Sequence, residues 1–451
     1  MGEAVKFLEK YIPVPEKKYP GELGLKRMQK LVELLGNPHL KYKTIHVGGT
    51  SGKGSTATMI ASILSQKYVT GLHTSPHLKV INERIKLVSG IKYKVLSIKD
   101  ISDEDFIKLI NEIRPVVEKM ANDGLGAPSY FEIVTAMAFL YFEKEKADIA
   151  VIEVGLGGLF DATNIINPEI AVITNIGLDH TEILGETVEE IAQDKAGIIK
   201  QGIMAVTGSI QPTVIKIFHT KSLREKAKLF LKGQDFGVEV QKVSSDGSVF
   251  HYFGKKDYRN LRINLLGRHQ IDNAALAVKA AEEVGGVTEN DIRSGLTKAT
   301  IAGRLEIISQ KPLIILDGAH NPDKMKALVE AIQEIWPEKK ATVILAIKND
   351  KNAAEMIDIL MPLAQKFIIT GYRVVMDQGE ILSYDPYDLL KTIDRKNQAA
   401  VITDPVKAYD EAVNKVTGKG LILVTGSLYL VGLIGKFLLT VKGGGIYTSF
   451  K

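Results

Sequence analysis

The chain has 451 residues, 45% of them hydrophobic and 25% charged, which is enough apolar material for more than one core and gives a working count of two domains. A formal balance of +5, with the lysines dispersed, excludes the concentrated basic stripe of a nucleic-acid-binding module and suits anionic substrates. There is no cysteine, which excludes disulfides and thiolate metal sites, fits a reducing cytosol, and leaves oxygen or imidazole to hold any metal.

The opening MGEAVKFLEKYIPVPEKKYP lacks the continuous apolar core of an export signal and is broken by prolines. Short β-branched runs then end in Gly, Asn or Asp and lead into longer helical patterns, the signature of parallel α/β construction. Runs at 44–47, 149–154, 170–174 and 203–206 predict a first sheet. Between about Gly233 and Gly267 the segments shorten and alternate, as at 249–253, with turn residues at 244–247, and predict a small antiparallel excursion. After Gly303 a second α/β series is expected, with strands near 313–316, 342–346, 367–370, 400–403 and 421–424. The junction is placed at 292–304, where a helical pattern ends. The apolar stretch 421–441 is interrupted by Gly426, Gly432 and Lys436, and reads as a buried strand and a helix rather than a membrane span. The closing GGGIYTSFK reads as a loosely held tail.

The segment TIHVGGTSGKGSTATMIASIL, residues 44–64, reads as strand, glycine-rich turn and helix, with Met59, Ile60, Ile63 and Leu64 at helical spacing. Glycines let backbone N–H groups curl around an anion, Lys53 supplies a point charge, and a hydroxyl from Ser55 or Thr56 can reach Mg²⁺ at the helix start. Gly54 separates Lys53 from the hydroxyl residues, and the leading glycines lie closer than in the general P-loop. A tight turn using glycine for sterics alone is the structural alternative.

Further chemistry-bearing stretches follow at predicted strand ends and turns. Ser75 precedes Pro76 in TSPHL, which alone is turn chemistry. Glu153 leaves an apolar strand beside Gly155, Gly157 and Gly158, where a carboxylate needs a partner. NIGLDHT, residues 175–181, again falls at a strand's carboxyl end, where ligand crevices of open α/β sheets form; a lone His180 there is usually structural, and Glu153 with a phosphate site improves its odds. Lys195 sits on a helix after 188–192, a place where lysines are mostly solvated. In the second half, Asp317 and His320 follow an apolar strand in LDGAHNP, where Asp317 either serves a site or caps the next helix. Arg304, in GRLE at the junction, can reach a nucleotide held by the other domain or pair with Glu306.

Taken together, GTSGKGST, GLHTSPHL, SYFEIVTAMAF, EVGLGGLFDATN, NIGLDHTEILGETVEEIAQDKAGI, GRHQIDNAALA, GRLE, LDGAHNP and TGSLYLVG, spread from about residue 20 to about residue 435, resemble the folylpolyglutamate synthase and dihydrofolate synthase family, relatives of the Mur ligases. TSPHL and DGAHNP separate this branch from the cell-wall ligases. The resemblance implies an α/β protein: an N-terminal P-loop NTPase-like domain, residues 1–300, with a parallel sheet and a small antiparallel β excursion, and a C-terminal Rossmann-like glutamate ligase domain, residues 304–451, with catalysis in the cleft between them. It implies ATP held by Gly49, Thr50, Ser51, Gly52, Lys53, Gly54, Ser55, Thr56, Asn273, Arg304 and Asp317. It implies Mg²⁺ held by Ser55, Ser75, Glu153 and His180, with Lys195 also serving the metal at the position of a carbamylated lysine whose added carboxylate helps position magnesium, and Lys53, Lys195 and His320 as catalytic residues. Tyr130, Phe131 and Glu132, with Phe160, Asp161 and Ala162, align with parts of a pterin site.

Three departures stand out. Ser51 replaces the usual Asn of the turn, Leu159-Phe160 replaces Arg-Leu before the Asp, and Ile301-Ala302 replaces an aromatic before GRLE. The expected reaction is ATP-dependent addition of L-glutamate to a folate or dihydropteroate carboxylate through an acyl phosphate, by a cytoplasmic monomer with no nucleic-acid or membrane partner. The alternatives are a cell-wall amino-acid ligase and a P-loop switch ATPase.

Overall fold

The computed structural model describes residues 1–13, 20–90, 97–122, 124–393 and 398–443. From residue 444 on, the expected tail lies outside them.

The first sheet has eight strands in the spatial order Ser97–Asp100, Ile85–Ser89, Thr70–His73, Ile149–Glu153, Lys43–Gly48, Ile170–Ile173, Met204–Thr207, Lys228–Leu231. From Thr70–His73 onward neighbours run parallel; the first two strands pair antiparallel and form an edge that was not expected from the sequence. The inner strands Ile149–Glu153 and Ile170–Ile173 are buried at every position, as strands covered on both faces are, and read as continuous Ile/Val runs for that reason. Register matters for function. Val47 lies opposite Glu153, Gly48 opposite Ile173, and His73 opposite Ile152. The chain therefore leaves four adjacent strands at one carboxyl edge, which is where open parallel sheets form ligand crevices.

Helix Lys53–Leu64 is buried from Ser55 to Leu64, because the sheet covers one side and helices Arg268–Val284 and Glu289–Lys298 the other. Gly295 makes the last crossing close: a Cβ there would lie 2.4 Å from Ile63 Cα, and Ser62 Oγ donates to Gly295 O at 2.7 Å. Helix Tyr130–Lys144, on the opposite face, starts with a capping box in which Ser129 Oγ accepts from Glu132 N and the Glu132 carboxylate accepts from Ser129 N. The expected antiparallel excursion is a three-stranded sheet, Gly237–Ser244, Gly247–Phe253 and Tyr258–Ile263.

The second sheet has the order Glu306–Gln310, Leu313–Leu316, Leu421–Thr425, Ala341–Leu345, Ala364–Ile369, Ala399–Val401. All pairs are parallel except the first. A separate hairpin, Arg373–Met376 with Gly379–Leu382, projects toward the first domain. The stretch expected as strand then helix is Leu421–Thr425 followed by Leu428–Gly443, and no helix among the described residues is long and apolar enough to cross a membrane.

Candidate active site

A cleft opens between the two sheets' carboxyl edges. The first domain lines it with the turn 49–55, Ser75, Phe131, Glu132, Glu153, the segments 155–157 and 160–162, Asp179, His180 and Lys195; the second supplies Arg304, His320, Lys324, Lys348, Lys351, Asp377 and Ser427.

The glycine turn is shaped by its neighbours. Gly52, the residue before the helix, is left-handed at φ 81°, and a Cβ on it would meet Asn273 Oδ1 at 2.3 Å. Gly49 has φ 131° and backs directly onto Thr174. Thr174 Oγ1 donates to Ser51 O at 2.6 Å, and Ser51 N donates to Asn175 Oδ1 at 2.8 Å, so the loop is pinned to the next strand's exit. Lys53 Nζ donates to Gly49 O at 3.1 Å across its own turn.

Gly54 has a separate role. A Cβ there would touch both Glu153 carboxylate oxygens at 3.4 Å, so the missing side chain leaves that carboxylate facing the turn. Glu153 is only 4% exposed. Burial raises its carboxyl above the ordinary range, opposed chiefly by the Lys53 charge, and Ser75 N donates to Oε2 at 3.0 Å. Ser75, Glu153 and Gly54 thus converge on one point.

His180 caps the short helix Thr181–Leu184 with a left-handed backbone at φ 52°. Burial lowers its imidazole, and the adjacent Asp179 acts in the opposite sense. Lys195 ends helix Val188–Lys195 and is 4% exposed. Burial first, then the Lys53 charge, pushes its ammonium down to about 7, and Nζ lies 3.4 Å from Gly157 O. Burial and the neighbouring cation both favour the neutral amine.

The residues aligned with a pterin site divide into a wall and its supports. Phe131, Glu132, Phe160, Asp161 and Ala162 line the cleft. Gly155 lets the Phe131 ring press against the strand exit, since a Cβ would lie 2.4 Å from Cζ. The Glu132 carboxylate receives Arg27 Nε at 3.0 Å and Nη2 at 2.7 Å, a bidentate ion pair that holds helix Glu22–Leu34 against the wall. Asp161 accepts from Leu156 N at 2.9 Å and Thr163 N at 3.0 Å, bracing the glycine segment. Tyr130 is buried behind the wall, under the Arg84 guanidinium.

Thr56, Asn273 and Asp317 also stand behind the lining rather than on it. Thr56 is fully buried, and Asn273 packs on Gly52 with Nδ2 donating to Gln270 Oε1 at 3.1 Å. Asp317 does not cap the following helix, because Asn321 does. Its oxygens accept from Leu305 N and Ala319 N, both at 2.8 Å, clamping the backbone next to Arg304 to the backbone next to His320. Glu306 Oε2 accepts from Gly303 N at 2.7 Å.

Sequence reasoning passed over Asp179, Lys324, Lys348, Lys351 and Asp377. Asp179 lies inside the NIGLDHT motif, and Lys324 stands in the first turn of the helix that Asn321 caps, just after the LDGAHNP motif. Asp377 follows a short hairpin strand and carries no local signal. Burial alone would raise the Asp179 carboxyl, but Lys324, His180 and Lys351 hold it far below the usual carboxylate range.

The chain matches the Mur ligase middle domain over residues 47–281 and the Mur ligase glutamate ligase domain over 303–428. It is 37% identical over 423 residues to the dihydrofolate synthase/folylpolyglutamate synthase of Bacillus subtilis (strain 168), covering 92% of this chain and 95% of that protein. The chain belongs to the folylpolyglutamate synthase and dihydrofolate synthase family. Among solved family structures, Mycobacterium tuberculosis folylpolyglutamate synthase complexed with ADP is 29% identical with a TM-score of 0.85, covering 96% of this chain and 97% of that one. A folylpolyglutamate synthase complex with AMPPCP and folate is 30% identical with a TM-score of 0.79, covering 97% and 99%. The α/β architecture with two Mur-type domains, expected from the motifs, is thus the fold of this synthase family.

Proposed function

We propose that this chain is an ATP-dependent acid–amino-acid ligase that adds L-glutamate to a folate or dihydropteroate carboxylate. The observation that carries it is the convergence, across one cleft, of a glycine turn with Lys53, the buried Glu153 and the second domain's Arg304 and His320. Membership of a family whose members bear that activity in their names supports the same reading.

A carboxylate is a poor electrophile. In this reading its oxygen attacks the γ-phosphorus of ATP and ADP leaves, giving an acyl phosphate. The glutamate amine then attacks the acyl carbon, phosphate departs, and a proton is released with the new amide. The turn 49–56 holds the phosphates, with Lys53 spreading charge on the transferring phosphoryl group. Arg304 and His320 approach the nucleotide from the second domain, while Asn273 and Asp317 act from behind by setting the turn and the Arg304–His320 spacing. Phe131 and Phe160 give the acceptor's ring an apolar wall.

The donors suit Mg²⁺. Among the described residues no group of three His, Asp or Glu side chains could hold a metal by itself, and Mg²⁺ typically takes one or two carboxylates together with substrate phosphates and water. Glu153, facing the turn, with Ser55, Ser75 and His180, fits that role. When bound, Mg²⁺ neutralises charge on phosphoryl oxygens. Lys195 is suited to carbamylation because its buried amine loses its proton readily. We assign residues 1–300 to the ATP-binding domain and 304–451 to the glutamate ligase domain, and take the enzyme as a cytosolic monomer acting on small molecules.

Mass spectrometry of products after incubation with ATP, Mg²⁺, glutamate and either dihydropteroate or monoglutamyl tetrahydrofolate tests the assignment. A mass gain of one glutamyl unit is expected with at least one acceptor. ADP release at background with both acceptors overturns it.

A further inference from the structure

Lys324 joins two groups that the domains bring to one point. His320 Nδ1 lies 2.7 Å from Gly318 O. A carbonyl only accepts, so Nδ1 carries the hydrogen and Nε2 keeps its lone pair. Lys324 Nζ, 3.0 Å away, donates to that Nε2. The same ammonium lies 3.5 Å from Asp179 Oδ2, on the first domain, with side-chain exposures of 18% and 10% for the pair.

Asn321 makes the junction directional. Its Oδ1 caps helix Pro322–Ile335 by accepting Lys324 N at 3.0 Å, while its Nδ2 donates to Asp179 Oδ2 at 3.1 Å. The positive end of a fourteen-residue helix therefore faces a largely buried carboxylate from the other domain. Lys351 Nζ, at 3.0 Å from Oδ1, completes the set. Asp179 directly precedes His180, so whatever docks on Asp179 also sets where the second domain sits relative to the phosphate turn.

We propose, resting on the ligase reading above, that Lys324 is a positioning residue of the ligation: anchored by Asp179, its ammonium holds the His320 imidazole in the reacting geometry through Nε2. A purely structural ion pair would contribute to stability alone. A positioning residue shows in turnover, because a displacement of about 1 Å costs on the order of 100-fold in rate.

The test uses the full chain with Lys324→Met, Asp179→Asn, His320→Ala and the double variant K324M/H320A, reading ADP release, glutamylated product and thermal unfolding. Lys324→Met removes the charge and keeps the stem; Asp179→Asn removes the partner charge without changing volume, and so tests the same clasp should the first variant fold poorly. Both should lower kcat about 10- to 100-fold while the KM for ATP stays within about threefold, since the phosphate turn is untouched. K324M/H320A should be no slower than His320→Ala alone, because Lys324 acts through the imidazole. Single variants with kcat within about twofold of the parent, with or without a lower unfolding temperature, overturn the proposal, as do multiplicative effects in the double variant. A parent that makes no glutamylated product overturns the ligase reading and this inference with it; an active parent with equally active variants overturns the inference only.

Discussion

Arg84 Nη1 donates to Asp377 Oδ2 at 2.8 Å, joining the first domain's sheet edge to the second domain's hairpin across 293 residues of chain. The guanidinium is fully buried and Asp377 is 13% exposed. Nε donates to His77 Nδ1 at 3.0 Å, and the Tyr130 ring lies 5.8 Å from the guanidinium carbon. Removing one member of such a pair strands a charge away from water. Asp377→Asn and Arg84→Met should each destabilise the protein by about 3–5 kcal/mol, and the double variant by less than the sum. Urea unfolding of the three variants measures this, and additive losses would count against a coupled pair.

Gly54→Ala should separate folding from function. A Cβ at 3.4 Å from the Glu153 oxygens is ordinary contact, and alanine suits a helix's first turn, so the unfolding temperature should hold within a few degrees. The methyl would nevertheless shield both carboxylate oxygens, and ADP release should fall at least about tenfold. Parent-like turnover would remove Glu153 from the phosphate site. Gly49→Ala should behave oppositely, unfolding at lower temperature, because its Cβ would lie 2.0 Å from Thr174 Oγ1 at φ 131°.

Lys53→Ala should reduce ADP release by about 100- to 1,000-fold while leaving stability close to the parent. Its Nζ contacts only the turn's own Gly49 carbonyl among the hydrogen bonds described for it, at 3.1 Å, so its loss costs the fold little. Single-turnover kinetics separate this from weaker nucleotide binding.

Acid should weaken the fold through buried imidazoles. His46, on the central strand, is fully buried with Nε2 2.8 Å from Thr163 Oγ1, and burial pushes it down to about 3 with Lys200 adding to the effect. Its folded value is depressed, so between roughly pH 6.5 and that value the unfolded chain binds a proton that the native chain does not. Stability from this group is complete above about pH 6.5 and declines as pH falls, by about 2 kcal/mol at pH 5. His46→Asn should lose that much less between pH 7 and pH 5 in urea titrations. Identical pH slopes for parent and variant would refute the linkage.

Much of this molecule is legible in the one-dimensional pattern. The inner strands announce themselves because a strand covered on both faces must be apolar throughout, and the glycine turn does so because only glycine fits beside Asn273 and Thr174 at positive φ. The antiparallel edge Ile85–Ser89 and Ser97–Asp100 escaped notice: its residues alternate weakly, and an edge strand is specified by the neighbour it pairs with.

The sequence alone determined the class of chemistry. Lys53, Ser75, Glu153 and His180 lie in local motifs just after strands, and a parallel sheet delivers strand ends to one edge whatever else the chain does, while Lys195 reaches the same place from the end of a helix. Only the tertiary structure decided which of the aligned residues face the cleft and which brace it, placing Phe131 and Phe160 on the wall and Tyr130, Asn273 and Asp317 behind it. It alone paired Asp179 with Lys324 and Arg84 with Asp377. Those contacts span more than a hundred residues, and charge pairing across such a distance leaves no periodicity to read; it exists only once two domains have docked and water has been excluded between them.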